Sequence, residues 1–161
     1  MHGDYRQSLR SILGTIPDAG DRGFAFEKWF AEELCRRGLM DARALRKSCL
    51  PFDVVSDSQG IRIQCKYTTG QRNTLDVRPA RPIVGSTVRR YRQSDFEYFA
   101  IYFAYFDELY IFASADRPCP DHKGMINGRF SRSTMQDHLD NWPAIFGGPR
   151  SSKVRQRIFA F

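Results

Sequence analysis

The chain has 161 residues, with 25 Lys and Arg against 18 Asp and Glu, a formal net charge of +7. That length allows one sizeable core, and 42% hydrophobic with 14% aromatic residues supply the material for it, which excludes a disordered chain and points to a single domain over 1–161. The greasiest stretch, 96–112, carries Glu97, Asp107 and Glu108, too much charge for a membrane span. Met1-His2-Gly3-Asp4-Tyr5-Arg6 leads into no apolar run, so no membrane partner and a cytoplasmic location are expected. Cysteines at 35, 49, 65 and 119 form no C-x-x-C pair and read as small hydrophobes in a reducing compartment.

In chain order, residues 4–13 are expected to form a short helix with Leu9, Ile12 and Leu13 apolar, ended by Gly14 and Pro17, and 18–21 a turn. Residues 21–37 form the clearest helix: Phe26, Phe30 and Leu34 recur at helical spacing behind an Asp suited to an N-cap, and Gly38 stops the run. Residues 40–50 suit helix or strand and end at Pro51. Strands are expected over 52–55 and 61–68 around a polar turn at 56–60. The segment 69–92 holds Gly70, Pro79, Pro82 and Gly85, so loops are expected, with a broken strand at 75–78. Residues 98–105 and 109–113 read as an aromatic hairpin turning at Asp107-Glu108 and lying at the heart of the sheet, with Tyr98, Phe99, Phe103 and Phe106 as core. A last helix is expected around 133–141. The order helix, hairpin, loop, hairpin, helix indicates α+β with a mixed sheet.

The charge is not spread evenly. Between 61 and 92 the chain carries Arg62, Lys66, Arg72, Arg78, Arg81, Arg89, Arg90 and Arg92 against Asp76 alone, a net of +7, while the other 129 residues balance at zero. A solvated face ordinarily mixes signs. Arginine forks suit phosphate oxygens and guanine edges, so this segment, and 69–92 in particular, is expected to bind DNA.

The same strand carries the chemistry. Along 61–68, Ile61, Ile63, Cys65 and Tyr67 share one face, and Arg62, Gln64, Lys66 and Thr68 the other. If Val55 pairs with Arg62 across the turn, Asp53 lies opposite Gln64. Glu27 has Phe30, Ala31 and Leu34 at i+3, i+4 and i+7, which places its carboxylate at the edge of the apolar stripe, where it needs a partner. That partner is either Lys66 or an arginine, or a hard cation held by Glu27, Asp53, the Gln64 amide oxygen and the Cys65 carbonyl, with Lys66 beside an attacking water.

Phe26-Glu27, Pro51-Phe52-Asp53 and Ile63-Gln64-Cys65-Lys66, in this order, resemble the PD-(D/E)xK nuclease superfamily, in which a helix glutamate, a strand aspartate and an acid-x-lysine pair form a magnesium-dependent site. Gln64 stands where that pattern has its third acid, similar to the Gln-x-Lys variant of group I intron homing endonucleases. The resemblance spans about 20–113, Tyr91 and Asp95 included. It implies a restriction-endonuclease-like α/β/α sandwich, a mixed central sheet flanked by helices. It implies Glu27, Asp53, Gln64 and Lys66 as catalytic residues, one Mg²⁺ replaceable by Mn²⁺, and double-stranded DNA as substrate. Cutting both strands requires a homodimer or homotetramer. The other readings are a nuclease-fold DNA-binding protein that no longer cuts, and a restriction or repair nuclease or junction resolvase. His2, His122 and His138 form no metal motif, and no phosphate-cradling glycine loop is present.

Overall fold

The computed structural model describes residues 5–46, 50–77, 81–82, 88–89, 92–116 and 128–147. Two helices open it, α1 (Tyr5–Gly14) and α2 (Ala19–Arg36). The expected turn at 18–21 is instead the start of α2. Asp18 is the N-cap and its carboxylate accepts the Asp21 N–H at 2.9 Å, which satisfies a helix-end donor five residues before Phe26, where the apolar stripe begins. Past the C-cap Arg37, Gly38 at φ 108° takes the left-handed conformation that stops the helix.

Strands β1 (Arg43–Ala44), β2 (Val54–Ser56), β3 (Ile61–Thr68), β7 (Tyr98–Phe103) and β8 (Glu108–Ala113) form a five-stranded sheet in the order β1-β2-β3-β7-β8. All neighbours are antiparallel except β3 and β7, which run parallel from Ile63 opposite Tyr98 to Thr68 opposite Phe103. The sheet is mixed, as expected, with β3 at its centre. The aromatic hairpin is less central than expected, since β8 is an edge. Phe52 and Asp53 precede β2, although the Asp53 N–H still donates to the Ile63 carbonyl at 2.9 Å. The turn shrinks to 57–60, where Gly60 takes φ 60°.

Two shorter ladders lie outside this sheet: β4 (Thr74–Val77) with β9 (Gly128–Ser131), and β5 (Arg81–Pro82) with β6 (Val88–Arg89). The helix expected at 133–141 is two 3₁₀ turns, Arg132–Thr134 and Gln136–His138, followed by the short helix α3 (Pro143–Phe146). Cys49, Cys119, His2 and His122 lie outside the described residues, whereas Cys65 is buried and Cys35 partly so.

One face of the sheet, through Ile61, Ile63, Cys65, Ala100, Tyr102 and Ile111, packs under α1, α2 and α3. Phe26 stacks on Tyr102 at 5.7 Å between ring centroids, and Phe30 on Trp142 at 5.3 Å. The other face carries Phe99, Ile101, Phe103, Tyr110 and Phe112, closed by Phe130 of β9 and Met135. Among the described residues no helix is long and apolar enough to cross a membrane.

Candidate functional site

The site grows from the β2–β3 hairpin. Val54, Val55 and Ser56 pair with Ile63, Arg62 and Ile61, the register expected from the sequence, so Asp53 comes level with Gln64. Their side chains meet: Gln64 Nε2 donates to Asp53 Oδ2, and the Cys65 backbone N–H donates to the same oxygen at 3.0 Å. The Gln64 amide also donates to the Cys65 carbonyl at 3.0 Å. Asp53 is 5% exposed and Gln64 fully buried. A carboxylate survives such burial only with donors aimed at it, and two converge on one oxygen here.

Glu27 and Lys66 join from separate elements, each partly buried. Glu27 is held on α2 between the buried Phe26 and Phe30; Lys66 follows Cys65 on β3, level with Ile101 of β7. All of them act on one buried group. The Cys65 thiol is pushed well above its ordinary pKa by burial, and further by the negative charges of Asp53 and Glu27, while Lys66 pulls it back. The three charged residues singled out from sequence are therefore within electrostatic reach of Cys65, and Gln64 is bonded to its carbonyl.

The donor set suits a hard divalent cation. The Asp53 carboxylate and the Cys65 carbonyl both point their oxygens at the Gln64 amide group, and Gln64 Oε1 is buried with no hydrogen-bond partner. These are the neutral and anionic oxygens that Mg²⁺ takes, with water completing its shell. Among the described residues no cluster of three or more His, Cys, Asp and Glu could hold a metal, so a cation here would depend on amide and carbonyl oxygens beside the carboxylates.

The arginines divide. Arg62 forms a forked ion pair with Glu97, Nη2 to Oε1 at 2.6 Å, donates to the Ser94 carbonyl at 3.1 Å, and has its pKa raised chiefly by the Glu97 hydrogen bond. It ties β3 to the chain entering β7. Arg72 and Arg92 are exposed. Arg81 and Arg89 stand opposite each other in the β5–β6 ladder, and Arg78 and Arg90 fall outside the described residues.

Sequence reasoning missed Asp41. Its carboxylate accepts the Ser56 hydroxyl at 2.6 Å and the Ser58 N–H at 2.8 Å, clamping the turn that sets the β2–β3 register. Nothing in its neighbourhood marks it, because its partners lie 15 and 17 residues away.

A family model of PD-(D/E)XK endonucleases matches residues 47–141, which contain Asp53, Gln64 and Lys66. No curated protein matches significantly. The solved structure of a bacterial homing endonuclease is similar over 74% of this chain and 90% of its own, at 18% identity and a TM-score of 0.44.

Proposed function

The chain belongs to the PD-(D/E)XK endonuclease family, and from that premise we propose that it is a Mg²⁺-dependent, site-specific endonuclease of double-stranded DNA, of the homing type. The observation that carries the reading is the convergence of Asp53 Oδ2 and the Cys65 carbonyl on one position, beside Lys66 and within electrostatic reach of Glu27. Asp53, Glu27, the Gln64 amide oxygen and the Cys65 carbonyl would hold the cation, Mn²⁺ substituting for Mg²⁺. Bound there, it would supply a Lewis acid at the scissile phosphate.

The protein's own groups do the rest. Lys66, the cation of the catalytic strand, stabilises negative charge growing on the phosphorus oxygens and donates a hydrogen bond to the attacking water. Hydrolysis is direct, with no covalent enzyme intermediate. Exposed Arg72 and Arg92 supply phosphate contacts from the segment between β3 and β7. One site cuts one strand, so cutting both requires at least a homodimer.

Plasmid nicking with Mg²⁺ tests the assignment. Lys66→Ala and Asp53→Asn are expected to lose roughly a hundredfold or more in rate while still retarding DNA in a gel. Variants as active as the wild type would refute it, and a wild-type protein that binds DNA but nicks nothing with Mg²⁺ or Mn²⁺ would establish the non-cutting alternative.

A further inference from the structure

Asp53 Oδ2 and the Cys65 carbonyl oxygen both accept from a single nitrogen, Gln64 Nε2. A carbonyl can only accept, so the nitrogen, not the oxygen, is the end of the amide that faces it. Two oxygens that share one NH₂ group also share one position, and a cation bound to both would have to displace that group. The other end of the same amide, Oε1, is buried and has no hydrogen-bond partner, a costly state for an acceptor. Gln64 itself is fully buried in the middle of β3, so the amide leaves this place only by withdrawing and turning about its own side-chain torsions.

We propose that Gln64 is a positioning residue with two settings: without a cation its amide nitrogen takes the cation's place and holds Asp53 and the Cys65 carbonyl together, and on cation entry the amide turns so that Oε1 becomes a ligand. The inference rests on the divalent-cation reading of the site. A carboxylate at 64 could perform only the second task. In the empty site it would set two buried carboxylates against each other with no N–H between them. The neutral amide thus keeps the site assembled without metal, at the cost of a hydrogen-bonded group that the cation must dislodge, and the position trades cation affinity for a preformed empty site.

The experiment compares wild type and Gln64→Glu, full-length and without DNA, in EDTA and in Mg²⁺, reading melting temperature and Mg²⁺ affinity by calorimetry. Wild type is expected to melt at nearly the same temperature in both conditions. Gln64→Glu is expected to melt lower in EDTA, to recover in Mg²⁺, and to bind Mg²⁺ roughly tenfold tighter or more. Equal melting in EDTA and equal Mg²⁺ affinity for the two proteins would overturn the proposal while leaving the nuclease reading intact. A Gln64→Glu protein that alone fails to bind Mg²⁺ would overturn the proposal only, and failure of both proteins to bind Mg²⁺ would overturn the cation reading as well. Should Gln64→Glu not fold, the wild-type Gln64 side-chain NH₂ signals decide by NMR: protected from exchange in EDTA and shifted with loss of protection in saturating Mg²⁺ if the amide turns, unchanged if it does not.

Discussion

The two faces of the central sheet are closed by different means. Under the helices, β3 contributes Ile61, Ile63 and Cys65 to an unbroken apolar seam with Phe26, Phe30 and Leu34. On the opposite face the same strand presents Arg62, Gln64 and Lys66, and apolar packing resumes on β7 and β8, where Phe99 and Phe112 meet Phe130 of β9. One strand therefore serves the apolar core with its odd side chains and presents polar side chains with its even ones. The helix face must carry the stability that the polar row withholds, and damage to the two faces should be read out by different measurements.

Ile145→Ala removes a fully buried side chain of α3 from the helix-side core and should cost about 2–5 kcal/mol by urea denaturation, while the protein that remains folded cleaves DNA at its normal rate. A loss of activity per folded molecule would break the division between faces. On the other face, Arg132 grips both Glu108 oxygens, donates to Asn73 Oδ1 at 2.9 Å, and lies 3.5 Å from the Phe106 ring centroid. It joins β8, the start of β4 and the 3₁₀ turn after β9. Arg132→Gln should cost about 1–3 kcal/mol, since a partly buried Glu108 loses its forked partner, and hydrogen exchange should rise first at β9.

Charge reversal of Arg72 and Arg92 should weaken DNA binding by roughly tenfold and flatten its salt dependence, with melting unchanged; unaltered affinity would reduce the segment to a solvated surface. The smallest effect belongs to Asp41, whose pKa is lowered from 3.8 to about 2 by the Ser56 hydroxyl and the Ser58 N–H. A depressed carboxyl stabilises the fold above its unfolded pKa, and that contribution disappears as pH falls through the folded value. Asp41→Asn should therefore flatten the change in urea midpoint between pH 3.8 and about 2.

Much of the site was legible because it is local. Asp53 and Gln64 are 11 residues apart, the turn between them is short, and period-2 alternation then settles which side chains meet. The body of α2 was legible for the same reason, while its first turn hid behind a capping interaction that leaves no apolar mark. What escaped is long-range. Gly128–Ser131 pairs with Thr74–Val77 more than 50 residues away, and its one buried aromatic, Phe130, gives no periodic signal. The helix expected at 133–141 is interrupted because Met135 turns into the aromatic core and Asp140 takes a positive φ of 48°, tertiary demands that a helical pattern does not reveal. Arg62, counted among DNA contacts from charge alone, is ion-paired with Glu97, a partner 35 residues distant.

The parallel pairing of β3 with β7 has a topological consequence. Parallel neighbours cannot be joined by a tight turn, so the chain is obliged to leave the sheet after Thr68 and travel back before re-entering at Tyr98. The arginine-rich segment is that return path. Its two ends are pinned beside β3, by the parallel ladder on one side and by Arg62 and Glu97 on the other, while its described strands, β4, β5 and β6, belong to other ladders. Lengthening a connection costs little free energy, so insertions in this return path are expected to leave the five-stranded ladder, and with it the proposed site, as they are.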